Sequence, residues 1–83
     1  MNNKLFVGNL PWSIDDQALN NIFSKYGKIL SARIVKDRMT NRSRGFGFVE
    51  FDNEDAANAA VNDLNESQVE GRAITVSIAR PKV

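Results

Sequence analysis

Between Lys4 and Gly8 the chain alternates, with Leu5 and Val7 on one side and Lys4 and Phe6 on the other. Successive side chains of a strand point to opposite faces, so period two predicts a half-buried strand. Pro11 ends the run. After Ser13 the period changes: Leu19, Ile22, Phe23 and Tyr26 recur at i, i+3, i+4 and i+7, one face of a helix. Ser13 is the expected N-cap, with Asp15 and Asp16 in the first turn, where acids suit the helix dipole. Gly27 is the expected stop. Period two returns in KILSARIVKD, which sets Ala32 and Ile34 against Ser31, Arg33 and Val35. A polar, basic loop, DRMTNRSR, leads into a third strand, RGFGFVEF, from Arg44 to Phe51. Asn53 can cap a second helix, NEDAANAAVNDL, whose apolar stripe is Ala57, Ala60, Val61 and Leu64 and whose stop is Asn65. RAITVSIAR closes the pattern as a fourth strand, with Ile74, Val76 and Ile78 against Thr75, Ser77 and Ala79.

The order βαββαβ predicts an α+β, ferredoxin-like two-layer sandwich: a four-stranded antiparallel sheet with two helices on one face. Two helices cannot cover both faces. Parity assigns Leu5, Val7, Ala32, Ile34, Val49, Phe51, Ile74 and Val76 to the covered side. Phe6, Phe46 and Phe48, three of the five phenylalanines, then turn toward solvent with Lys4, Arg33, Arg44, Thr75, Ser77 and Ala79 around them. A large exposed apolar patch marks a binding surface. Trp12 is expected to cap the core beside the first helix, with an exposed stacking platform as its other reading.

The 83 residues, with 42% hydrophobic and 25% charged, suit one globular domain spanning 1–83. With neither cysteine nor histidine, disulfides, Cys-based zinc sites and the usual neutral-pH general base are excluded. No metal or cofactor is expected. No apolar run is long enough to span a bilayer and MNNKLFVGNL is not a signal peptide, so no membrane partner is expected and the location is read as cytoplasmic, with organelle stroma or nucleus left open.

The net charge of +1 hides a division. From Lys25 to Arg44 there are seven basic residues and one acid, Asp37; from Gly45 to Gly71 there are seven acids and no base. A polyanionic partner fits the basic stretch. Aromatic planes edged with cations suit single-stranded nucleic acid, because bases stack on rings whatever their identity while cations meet phosphates.

At this point a resemblance becomes specific. RGFGFVEF is similar to the eight-residue ribonucleoprotein signature of the RNA recognition motif family, and LFVGNL resembles its six-residue partner on the first strand. The resemblance covers Lys4 to Arg80, and small single-domain bacterial, cyanobacterial and organellar members are the most similar kind. It implies that Phe6 and Phe48 stack on successive bases, that Phe46 packs against sugars, and that Arg44 pairs with a phosphate. Lys4 and Arg33 are further basic candidates, and Ser77, Ala79 and Arg80 would add hydrogen bonds at the fourth-strand edge. Asn9 matches a family position, with fixing the following loop as its other reading. Where many relatives have glycine in the loop between strands two and three, this chain has Asn41, which tolerates a left-handed conformation.

The function implied is non-catalytic binding of single-stranded RNA, with single-stranded DNA not excluded, by a chain that is a monomer when free. A peptide-interaction module on the same face is the alternative. Its mark would be a ring replaced by an aliphatic residue or an extra helix over the sheet, and neither is visible. An acylphosphatase-like enzyme on the same plan would need a phosphate-cradling loop, which GNLPW does not form.

Overall fold

The computed structural model describes residues 3–79. Among them, β1 (Lys4–Gly8), β2 (Ile29–Lys36), β3 (Ser43–Phe51) and β6 (Thr75–Ile78) form one antiparallel sheet in the order β2-β3-β1-β6. Helices α1 (Asp16–Phe23) and α2 (Glu54–Leu64) lie on one face of it. This is the predicted two-layer plan. The two strands flanked on both sides, β1 and β3, carry the two motif segments.

Parity decides which face is dry. Leu5, Val7, Val49 and Phe51 are fully buried, and Ile34, Ile74 and Val76 nearly so. Ala32 is half-buried against the same core. From the helices, Leu19, Phe23, Ala57, Ala60 and Leu64 complete it, with the Phe23 and Phe51 rings 6.4 Å apart. Burying one side chain of this size contributes about 1.5–3 kcal/mol, so this seam is the main driving force of the fold. The alanine stripe of α2 lets that helix lie close to the sheet.

The caps were half anticipated. Asn53 caps α2 by accepting from the Ala56 amide at 2.8 Å, and Asn65 ends it. On α1 the cap is Asp15, not Ser13; its carboxylate accepts from the Ala18 amide at 2.8 Å. Leu10, Pro11 and Ile14 are buried, so the chain must cross the core edge before the helix can begin. The Ser13 hydroxyl instead donates to Glu70 at 2.7 Å. After Phe23 the helix tightens into a 3-10 turn, Ser24–Tyr26, and reaches Gly27.

Two other expectations change. Arg72 and Ala73 do not begin the fourth sheet strand. They form β5 (Arg72–Ala73), paired with β4 (Gln68–Val69) in a separate hairpin, and the sheet strand starts at Thr75. Glu70 and Gly71 both have positive φ, 49° and 83°, the turn geometry that matches strand twist in a two-residue hairpin. Trp12 does not cap the core: it is 79% exposed, because Leu10, Pro11 and Ile14 already fill that corner.

Candidate nucleic-acid interface

The uncovered face is organised by strand register. Phe6 on β1 stands opposite Phe48 on β3, Phe48 opposite Arg33 on β2, and Phe6 opposite Ser77 on β6. One row across the sheet therefore reads Arg33, Phe48, Phe6, Ser77. With strands roughly 4.8 Å apart, this row spans about 14 Å. Phe46 lies two residues from Phe48 on β3 and so shares its face.

The rings pack on one another. Phe6 is 5.8 Å from both Phe46 and Phe48, and Phe46 meets Phe48 edge-on at 6.4 Å and 89°. Each ring is half-buried as a result. The expectation of rings standing largely bare to water is corrected by this mutual cover: the cluster is a platform, not three isolated plates. Cations border it. The Lys4 ammonium sits 5.1 Å from the Phe48 centroid and the Arg44 guanidinium 6.0 Å from that of Phe46. Arg33 is exposed at the β2 end of the row, and Ser77 at the β6 end.

Glycines make the platform possible. A Cβ on Gly8 would come within 2.8 Å of the Phe6 ring, so the missing side chain is the space in which that ring lies. A Cβ on Gly47 would collide with the Arg33 carbonyl oxygen and crowd Ile34 Cα at 3.1 Å, so β2 and β3 could not close. Gly45 has φ +86° but only one neighbour, the Leu10 carbonyl at 3.7 Å; its requirement is conformational.

The remaining sequence-predicted residues fall in three places. The Ala79 amide donates to the Lys4 carbonyl at 2.8 Å, which extends the β1–β6 edge beyond Ile78. Asn9 has φ +57°, and its side chain is spent internally: it donates to the Ala73 carbonyl and accepts from the Arg72 guanidinium, both at 2.7 Å. That geometry matches the loop-fixing reading. Arg80 lies outside the described residues.

One residue of this face was missed. Glu50 follows Val49 and precedes Phe51, both fully buried, so it points to the open side, opposite Lys4 in the register. Alternation along RGFGFVEF contained that signal. In the β2–β3 loop, Asp37 accepts from the Met39 amide at 2.8 Å and the Thr40 amide at 3.2 Å. These bonds hold its carboxyl below the ordinary range, with the Arg44 charge adding a smaller push. Asn41 takes the left-handed conformation expected of it, φ +58°. Among the described residues, no group of three or more Asp or Glu side chains is arranged to hold a metal, and no helix is long and apolar enough to cross a membrane.

Comparison with known proteins agrees with this geometry. The profile of the RNA recognition motif matches residues 5–75. RNA-binding protein CP31B, chloroplastic, from Arabidopsis thaliana is 48% identical over 79 residues, which cover 95% of this chain and 27% of that protein. The first of the curated relatives are matched over only about a quarter to a half of their length. Among solved structures, the crystal structure of RNA-binding protein PG1 superposes with a TM-score of 0.90 at 40% identity, covering 95% of this chain and 98% of that one. The Sxl-lethal protein/RNA complex superposes with a TM-score of 0.93 at 35% identity, covering all of this chain and 50% of that one. Fold, paired motif segments and these likenesses agree: the chain belongs to the RNA recognition motif family.

Proposed function

We propose that residues 1–83 form one non-catalytic module that binds single-stranded RNA on the open face of its sheet. The observation that carries this reading is the row Arg33–Phe48–Phe6–Ser77, with Phe46 beside it, on the face that neither helix covers. Bases stack on Phe6 and Phe48, Phe46 packs against sugar, and Lys4, Arg33 and Arg44 meet phosphates. Short groups at the β6 edge, Ser77 on the strand and Ala79 just beyond it, supply hydrogen bonds. Asn9 shapes the adjoining loop. The RNA complex of a structurally similar protein supports the ligand class.

Stacking is worth roughly 1–3 kcal/mol per base by alanine substitution, and ordering a flexible strand offsets part of it. Two or three stacked bases together with the phosphate contacts suggest a micromolar complex, roughly −7 to −8 kcal/mol. Three to five phosphate contacts give a log–log salt slope of about −2 to −3.5 for a single strand. Stacking does not require a 2′-hydroxyl, so single-stranded DNA is expected to bind as well. The protein acts as a monomer when free. The cytoplasmic location expected from the sequence competes with the chloroplast or mitochondrion named for several relatives, and the binding reading is the same in any of these compartments.

The test is amide-shift mapping of the labelled protein with a randomised short RNA pool. Shifts should concentrate on β1 and β3 around Phe6, Phe46 and Phe48. Shifts confined to α1 and α2, or none with excess RNA, would refute the reading.

A further inference from the structure

Trp12 is a large indole 79% exposed on a short loop, and the open sheet face does not use it. It is not isolated. The β1–α1 loop and the β2–β3 hairpin face each other across a cleft of about 580 Å3, with Trp12 on one wall and Lys36, Asn41 and Arg42 on the other. That volume is in the range of small-ligand sites, roughly 300–1,000 Å3. Asp15 also lines the cleft, but one of its carboxylate oxygens is engaged by the Ala18 amide at the start of α1. The remaining charge on the walls is positive, from Lys36 and Arg42.

The cleft continues the platform. The Leu10 amide donates to the Gly45 carbonyl at 2.8 Å, so the loop carrying Trp12 is fastened beside Arg44 and Phe46. Ser43, on the cleft wall, is the residue before Arg44. A strand lying across the rings and leaving past Arg44 would meet the cleft next. An exposed ring and two cations lining one cleft form an arrangement suited to a base and its phosphates.

Building on the RNA-binding reading, we propose that this cleft is a second nucleobase site. Trp12 stacks a base of the same RNA strand beyond those on the sheet, and Lys36 and Arg42 hold its flanking phosphates. The hairpin then acts as one wall of the binding surface.

Trp12 is the single tryptophan of the chain, so its emission reports on this cleft alone. The experiment titrates the protein with random-sequence RNA pools four and ten nucleotides long. It compares Trp12→Ala and Phe48→Ala, each checked for native circular dichroism. The ten-nucleotide pool should quench Trp12 strongly and the four-nucleotide pool weakly. Trp12→Ala should weaken only the longer pool, by about 5- to 150-fold, and Phe48→Ala should weaken both. Equal binding of both pools by Trp12→Ala, with no quenching in the parent, overturns the proposal and leaves the cleft to a partner other than RNA, such as a peptide. If Phe48→Ala changes neither pool while Trp12→Ala weakens the longer one, the sheet reading falls and the cleft stands.

Discussion

Phe48 and Phe51 are the same residue type on the same strand, three positions apart and on opposite faces, which makes their alanine variants a controlled pair. Phe51 is fully buried. Truncating a buried phenylalanine costs about 3–5 kcal/mol. Phe48 is half-buried, and what it loses is specific: ring contacts with Phe6 at 5.8 Å and Phe46 at 6.4 Å, and the Lys4 ammonium at 5.1 Å. Ring pairs contribute about 0.5–1.5 kcal/mol each and an exposed cation–π contact about 0.5–1, a range of about 1.5–4 kcal/mol for these three contacts. At the low end suited to a half-exposed ring, Phe48→Ala should cost roughly 2 kcal/mol. In a domain of this size that is a fall in melting temperature of about 8–16 °C. For binding the order reverses. Loss of one stacked base weakens RNA about 5- to 150-fold in Phe48→Ala. Phe51→Ala, measured where it is still folded, should bind like the parent. Calorimetric melting and fluorescence anisotropy at low temperature give both numbers. If Phe48→Ala destabilises as much as Phe51→Ala while binding RNA normally, the parity argument fails.

Arg44→Ala should weaken RNA of every sequence by a similar factor and reduce the salt slope by about 0.7, one phosphate's share; an unchanged slope removes Arg44 from the phosphate path. Gly45→Ala should cost about 1–3 kcal/mol, the penalty of a left-handed non-glycine residue. Gly47→Ala meets the Arg33 backbone and should cost more, with loss of β2–β3 amide protection; equal costs in chemical denaturation would contradict the distinction. Asp37 has a folded-state pKa below its ordinary value, so its hold on the hairpin is complete above the usual carboxylate range and is lost as pH falls through the lowered value. Acid titration of the Met39 and Thr40 amide resonances should show a midpoint below about 3.9. A midpoint at or above that value refutes the capping role.

The sheet was legible because one physical rule governed it. Wherever a strand had one face against helices, alternation named the buried set, and Leu5, Val7, Val49, Phe51 and Val76 all lie there. Asn53 and Asn41 were legible because each answers a local demand, an orphan amide and a positive φ. What stayed hidden depended on contacts distant in sequence. The Ser13 hydroxyl looked like a cap until Glu70, far along the chain, engaged it. Asn9 is held by Arg72 and Ala73 of a hairpin that the pattern had merged into a longer strand. The turn signal was present in Glu70–Gly71, but two residues of pairing on either side are too few to show a period. Trp12 illustrates the converse: hydrophobicity predicted burial, and competition from Leu10, Pro11 and Ile14 for one corner decided against it.

The division of charge also acquires a geometry. The basic stretch from Lys25 to Arg44 runs through β2 and its hairpin, along one edge of the sheet, whereas most of the acids that follow ride on α2 and its flanking loops. Layers pack roughly 10 Å apart, and salt screens charge over about 8 Å at physiological ionic strength, so acids behind the sheet barely reach a phosphate on the open face. On the RNA-binding reading they would orient the approach of a polyanion at low salt and contribute little to the complex once formed. Glu50 differs because it sits on the open face itself, opposite Lys4. A phosphate drawn to Lys4 would have to approach that carboxylate, whereas one drawn to Arg33 would meet Phe48, not an acid, in the same cross-strand pair. Net charge therefore says little about affinity here. The backbone of a bound strand should favour the β2 side, where Arg33, Lys36, Arg42 and Arg44 follow one another through β2, its hairpin and the start of β3.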